Sequence, residues 1–330
     1  MRFPWQKQQW QQLWYAKQEN RLAHALLFSG IKGTGKSHFA DHFARALLCQ
    51  ASNTSSTDTL NCHCHSCRLM TGKAHPNMLW IMPEKDSQAI KIDQIREVSE
   101  FINQTSLQGA YRIVIINPAQ QMNKNAANAL LKTLEEPPLG ALLMLICDQL
   151  AHLPATILSR CQHVLFSRPS LEQSLPWLKE QLKSDQHDPD LLLRLTHGAP
   201  LAAIQFVKDE VLPVRQHLFQ TLYALIQQQA DPIQAATSLS GIDSLRFLDF
   251  LLSFIVDILR LQLGASANRI VNADFATQIM TLHQDTLLNK NIKFMEYLQQ
   301  LRGQICTGIN MNKQLMIENV LIHWTLHHAS

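Results

Sequence analysis

Residues 30–37 read Gly-Ile-Lys-Gly-Thr-Gly-Lys-Ser and fill every fixed position of the phosphate-binding pattern G-x-x-x-x-G-K-[ST]. The flanks meet the pattern's demands. Ala25-Leu26-Leu27-Phe28 precedes it as a short apolar strand, and Phe39, Phe43, Ala46 and Leu47 follow at helical spacing. A strand, a glycine loop and a helix in that order confine the chain to the P-loop α/β class. Gly30, Gly33 and Gly35 permit a turn that side chains would obstruct, so successive N–H groups can face phosphate oxygens while the new helix adds its positive end. Thr34 lies inside that cradle. Lys36 is spaced to reach terminal phosphates, and the Ser37 hydroxyl to take a place on magnesium.

Apolar runs at Leu79–Met82, Arg112–Ile116, Leu142–Cys147 and Val164–Phe166 alternate with helical periods. The helices are read at Ile92–Ile102, at Ala126–Glu136 with its stop at Pro137-Pro138, and at Leu153–Cys161. Alternation across 25–166 predicts a doubly wound parallel sheet. Residues 1–24, with Trp5, Trp10 and Trp14 among glutamines, read as one helix leading into the first strand. After Pro169 the strands cease. Leu171–Leu182 and Pro189–His197 read as helices, and Pro213–His328 is helical by period, with breaks at Asp231-Pro232, Gly241, Gly264 and Gly308. The expected division is 1–167 for the α/β part, 168–208 for a small helical module and 209–330 for a separate helical domain, which a length of 330 residues accommodates.

Hydrophobic content of 46% against 17% charged residues provides for packed cores. A net charge of +3 leaves nucleic-acid contact to a local patch, for which Lys73, Lys85, Lys91 and Arg96 are the candidates against the plainer reading of a solvated face. The most apolar window, Phe247–Leu263, is interrupted by Asp249, Asp257 and Arg260, which fits a buried helix and not a membrane span. With no signal peptide in view, a cytoplasmic protein is expected. The terminal pair His327-His328 reads as a frayed end.

Seven cysteines in such a protein argue for metal or free thiols before disulfides. Cys49 is followed, across a polar surface loop at Ser52–Thr59, by Cys62-His63-Cys64-His65-Ser66-Cys67. Four thiolates can close a tetrahedral zinc site that leaves no position for water, which makes it structural. Only Cys64 and Cys67 form a C-x-x-C pair, and His63 or His65 could replace a thiol; reduced surface cysteines are the bland alternative.

One position argues against turnover. In P-loop ATPases the strand that Arg112–Ile116 matches ends in an acid that holds magnesium, commonly followed by a glutamate that activates water. Here it ends in Asn117-Pro118, which supplies neither charge nor base.

The P-loop, the cysteine insertion behind its helix, the run Ala126-Ala127-Asn128-Ala129-Leu130-Leu131-Lys132-Thr133-Leu134-Glu135-Glu136-Pro137-Pro138 and the triplet Ser159-Arg160-Cys161 together resemble bacterial clamp-loader subunits of the AAA+ class. The resemblance covers at least 20–200 and implies an AAA+ domain, a helical lid and an all-helical collar. Motor members carry an acidic pair where Asn117-Pro118 stands, an arginine where Gly198-Ala199-Pro200-Leu201-Ala202 has none, and a hydroxyl sensor where Asp148 stands. These three departures match the delta prime family, the non-motor branch of the DNA polymerase III loader.

From spacing alone Arg160 is a helix-end cap. The resemblance implies instead an arginine finger presented to a neighbouring ATPase, with Ser159 and Cys161 as its motif. It further implies gamma or tau and delta subunits as partners, the sliding clamp and primer-template DNA through them, and membership of a nucleotidyltransferase holoenzyme without ATPase activity of its own. Binding of ATP with magnesium to the intact loop is left open, and its hydrolysis is not expected. A catalytically active gamma-type ATPase is the alternative, and an unrelated P-loop kinase explains neither the Ser-Arg-Cys triplet nor the long helical remainder.

Overall fold

The computed structural model describes residues 3–51, 62–72, 75–84, 87, 89–104, 111–183, 186–285, 287–307, 309 and 311–328. The chain divides into two compact units, Met1–Trp177 with Gly198–Ala202, and Leu178–His197 with Ala203–Ser330. The Ser52–Thr59 loop and residues Lys73 and Lys85 lie outside the described residues.

The first unit is built on five parallel strands: β1 Ala25–Ser29, β2 Met78–Ile81, β3 Arg112–Ile116, β4 Ala141–Cys147 and β5 Gln162–Leu165, in the spatial order β2-β3-β4-β1-β5. Ala25 pairs with Leu143, Leu26 with Gln162, Arg112 with Ala141 and Met78 with Ile113. The three central strands are buried at every residue, as continuous Val/Ile/Leu runs require when both faces are covered.

Side-chain alternation splits those runs between two cores. Leu26, Phe28, Ile113, Ile115, Leu142, Met144 and Ile146 face α1 (Lys7–Gln18) and α2 (Lys36–Leu48), meeting Trp10, Leu13, Phe39 and Phe43. Leu27, Val114, Ile116, Leu143 and Leu145 face the opposite way, into a core with Ile95 and Val98 of α4 (Ile92–Asn103) and Leu130 and Leu134 of α5 (Lys124–Glu135). Each fully buried Leu, Ile or Phe contributes about 1.5–3 kcal/mol by its removal from water. Because β4 lies between β1 and β3, the carboxyl ends of these three strands, at Gly30, Asp148 and Asn117, come together at one sheet edge, where open α/β sheets place their ligands.

Two local expectations are corrected. Residues 1–24 do not form one helix. A 3-10 turn at Pro4–Gln6 leads into α1, which ends at Gln18 because Asn20 takes a left-handed φ of 54° that helix cannot continue through. The helix expected over Leu153–Cys161 is a single turn, α6 at Ala155–Leu158, preceded by a 3-10 turn at Leu150–His152; Pro154 occupies its N-cap, and Arg160 lies beyond its end. The helix α3, His65–Thr71, starts inside the cysteine group.

The helix α7 spans Leu171–Leu182. In the second unit come α8 Pro189–Leu195, most of α9 Pro200–Lys208, α10 Val211–Ile226, α11 Pro232–Ser238, α12 Ser244–Gln262, α13 Ala276–Asp285, α14 Leu288–Cys306 and α15 Lys313–His328. The apolar window read from the sequence is α12. Its Phe247, Leu251, Phe254 and Ile258 are buried among Leu218, Leu222, Leu298, Ile317, Leu321 and Trp324.

The charges that interrupt this window are satisfied within the unit. Asp257 is fully buried and accepts from the Val271 and Asn272 amides, the Asn272 side chain and Arg260, while Arg302 pairs with Asp249 at 2.6 Å. Buried Arg215 ties α10 to the same connection through Asn272 and Asp274. A buried carboxylate is tolerable only when hydrogen-bonded and paired in this way. Among the described residues no helix is long and apolar enough to cross a membrane.

Candidate functional site

The phosphate loop leaves β1 in the conformation its glycines allow. Gly30, Gly33 and Gly35 have φ of 144°, 87° and 88°, and a Cβ on Gly30 would lie 2.1 Å from the Phe166 carbonyl oxygen. The loop is covered from outside. Trp5 Nε1 and Gln6 Nε2 each donate to the Thr34 carbonyl at 2.9 Å, Leu201 N donates to the Gly33 carbonyl at 3.1 Å, and Phe3 packs over Gly35. Phe3 stacks on Trp5, and both meet the edge of Trp177, so the N-terminal turn is fixed by aromatic contacts. Thr34 is buried, and its hydroxyl donates to the Ile31 carbonyl.

Lys36, first residue of α2, is 3% exposed. Its Nζ lies 2.7 Å from the Gly30 carbonyl, 2.8 Å from the Ile31 carbonyl and 2.7 Å from Asp148 Oδ1. Ser37 Oγ accepts from Asn117 Nδ2 at 3.2 Å, at the end of β3, where motor ATPases carry an acid; the Asn117–Pro118 bond is cis. Asp148 follows β4, its amide held by Gln120 Oε1 at 3.2 Å. The sequence marks Asp148 only as a misplaced sensor; its pairing with Lys36 joins residues 112 positions apart (148 − 36), which no local pattern reports.

Arg160 stands two residues past α6. Nη1 donates to the Thr156 carbonyl at 3.1 Å, the cap expected from spacing, while Nη2 pairs with Glu135 Oε1 at 2.6 Å. Glu135 is the last residue of α5 and part of the Leu-Lys-Thr-Leu-Glu-Glu-Pro-Pro run, so the two sequence signatures meet in one ion pair. At 35% and 50% side-chain exposure the pair is worth under about 1 kcal/mol and yields easily to a stronger anion. Ser159 Oγ lies 3.4 Å from Nη1, and Cys161 is half-buried, its thiol pushed up to about 11 by burial.

Cys49, Cys62, Cys64 and Cys67 converge with all four sulfurs within 4.8 Å of one another. Zinc–thiolate bonds of about 2.3 Å at tetrahedral angles place sulfurs about 3.8 Å apart. Cys49 lies 3.6 Å from Cys62 and 3.9 Å from Cys64, so the donor set fits a tetrahedral thiophilic ion. Cys64 caps α3 by accepting from the Cys67 amide, which puts both members of the C-x-x-C pair on one helical turn. Cys49 follows directly after α2. Against desolvation by burial, hydrogen bonds from the Cys67 and Gln50 amides draw the Cys64 thiol down to about 6, whereas burial pushes Cys67 up. Behind the cluster Ser66 Oγ donates to the Leu48 carbonyl and meets His75 Nε2 at 3.0 Å, fastening α3 to α2.

Of the scattered basic residues, Lys91 pairs with Glu84 and Arg96 with Asp93, both exposed. Each has its charge balanced nearby, as on a solvated face.

The family model for "DNA polymerase III, delta subunit" matches residues 5–170, and that for "DNA polymerase III, delta subunit, C terminal" matches 210–325. A "DNA polymerase III subunit delta'" of Pseudomonas aeruginosa is 32% identical over 98% of this chain and 97% of its own length. The proteins of the same name from Yersinia pestis and Escherichia coli K12 are 30% and 28% identical, over 98% and 97% of this chain and 95% and 94% of theirs. Matches of this extent cover both compact units and agree with the branch read from Asn117-Pro118, Asp148 and the arginine-free stretch at 198–202: the chain belongs to the DNA polymerase III delta prime subunit family.

Proposed function

We propose that this chain is the non-motor subunit of a clamp loader, which helps place the sliding clamp on primer-template DNA and presents Arg160 to the nucleotide site of an adjacent gamma or tau subunit. The observation that carries this reading is the absence, among the described residues around the phosphate loop, of a carboxylate free to hold magnesium or activate water. Asn117-Pro118 ends β3, and Asp148 is engaged with Lys36. Phosphoryl transfer needs a held magnesium ion and an oriented nucleophile, and neither Asn117-Pro118 nor the engaged Asp148 offers a carboxylate for them.

Arg160 suits the complementary role. It projects from a short connection at the surface, oriented by Glu135 through a weak pair that a neighbour's phosphates can replace. A guanidinium so placed neutralises charge developing on the transferred phosphoryl group, an effect of about 10³ to 10⁵ in rate in P-loop enzymes.

Zinc is the metal of the four cysteines, in a closed structural site that fastens the start of α3 to the end of α2. Residues 168–208 act as the lid and 209–330 as the collar that joins the delta and motor subunits, in the cytoplasm. The place for ATP with magnesium is the loop of Gly30, Gly33, Thr34, Gly35, Lys36 and Ser37, which holds it without hydrolysis.

The test is turnover. The purified chain should release no phosphate from ATP above background, and should raise turnover when added to the motor subunits. Hydrolysis by the isolated chain that is lost in Lys36→Ala would overturn the reading in favour of a gamma-type ATPase.

A further inference from the structure

The three loop glycines, Lys36 and Ser37 are all in place, and yet the loop's cation is fully engaged. An ammonium group has three hydrogens to donate. Lys36 Nζ has three acceptors at 2.7 to 2.8 Å: the carbonyls of Gly30 and Ile31 and the carboxylate of Asp148. At 3% exposure the lysine therefore has no donor left for an incoming phosphate, and its charge is already balanced by an anion supplied from the end of β4. The loop is clasped on its other side as well, by Trp5 and Gln6 at the Thr34 carbonyl and by Leu201 at the Gly33 carbonyl.

We infer that Asp148 is a built-in counter-ion that stands at Lys36 where a terminal phosphate would stand, so that nucleoside triphosphate enters this loop only by displacing it. The physical reason is competition between anions for one buried cation. While the carboxylate is in place, a triphosphate brings a second concentration of negative charge to a site already neutral, and repulsion between the two opposes binding. Once the carboxylate is removed, Lys36 is a buried, unpaired cation, and an anion that pairs with it removes the cost of that state. The two arrangements exclude each other. Asp148 thereby explains how an intact phosphate pattern coexists with a subunit that performs no turnover, and it makes affinity for nucleotide a property of one side chain 112 positions away (148 − 36). The inference concerns the isolated chain and does not rest on assembly into a loader.

The experiment is calorimetric titration of the purified chain with magnesium-ATP, beside Asp148→Asn and Asp148→Ser, each with and without Lys36→Ala. The wild-type chain should bind only at millimolar concentrations or not at all. Both Asp148 variants should bind at least tenfold more tightly, and the gain should vanish in the Lys36→Ala backgrounds. Magnesium-ATP should raise the melting temperature of the Asp148 variants and leave the wild type unmoved, which reads the effect even where a variant is less stable. Micromolar binding by the wild type, or Asp148 variants no tighter than it, overturns the inference. Phosphate release by the wild-type chain would contradict the non-motor reading, whereas the counter-ion stands or falls on the binding comparison alone, so the two failures are distinguishable.

Discussion

The phosphate loop and the cysteine cluster sit at opposite ends of the same helix, α2, and sequence pattern and geometry part company in opposite directions there. At the amino end the pattern is complete, and the geometry is closed: Lys36 is saturated by Gly30, Ile31 and Asp148, and the loop backbone is clasped by Trp5, Gln6 and Leu201. At the carboxyl end the pattern is irregular, with a single C-x-x-C pair, and yet four sulfurs are brought within 4.8 Å of one another. A motif states which groups are available. What they do depends on which other groups the fold delivers to them, and here the fold delivers a competing anion to one site and a fourth donor, Cys49, to the other.

The comparison can be broken most forcefully at the cysteines. Cys67→Ser removes a buried donor from the thiol cluster, and the metal content of the purified chain should fall from about one equivalent to none, since a three-thiolate remnant no longer closes the site. Elemental analysis reads this, with protection of α3 from proteolysis falling in step; retention of the metal would mean that His63 or His65 can take a donor's place.

The loop should respond in a different way. If its glycines now serve the fold and not a ligand, Gly30→Ala should lower stability by about 3 kcal/mol in urea, in the absence of any nucleotide, because the new Cβ would meet the Phe166 carbonyl at 2.1 Å with φ at 144°. Stability within about 0.5 kcal/mol of wild type would show that the loop yields and that its closure is soft. At the lower end, Glu84→Ala should change stability by under about 0.5 kcal/mol, in keeping with an exposed pair between Lys91 and Glu84 that is not part of either site. A larger loss would mean that the segment after β2 supports the sheet edge.

How much of this is legible in the sequence depends on the range of the interactions. The three central strands are continuous apolar runs of five to seven residues, buried on both faces as such runs require, so the core of the parallel sheet can be read from residue type and period alone. The loop glycines are likewise local, since a positive φ is a property of one residue. The N-terminal helix stops short of its apparent period at Asn20, a residue type compatible with helix and with the left-handed region alike; its φ of 54° is a matter of conformation that residue type leaves open. Cys64 is hard to foresee as a helix cap because cysteine is a rare cap and the neighbouring histidines offer themselves as ligands. The pairs Lys36–Asp148 and Glu135–Arg160 are out of reach for a different reason: both depend on strand order, which puts the end of β4 beside β1 and sets a helix end against a connection 25 residues later (160 − 135). In both cases each partner stands out in the sequence, or lies inside a run that does, and only the fold joins them.

The central claim is that this chain lends catalysis to a neighbour and performs none. Its most direct test is ATP turnover by a loader reconstituted with Arg160→Ala in place of the wild-type subunit, with assembly verified by gel filtration and with Arg160→Lys as the charge-retaining control. Turnover at the site this subunit serves should fall by about 10³ or more, with little rescue by lysine, whose single ammonium cannot bridge two phosphoryl oxygens in a planar fork. An assembled complex that turns over ATP at the wild-type rate with Arg160→Ala in place would contradict the account.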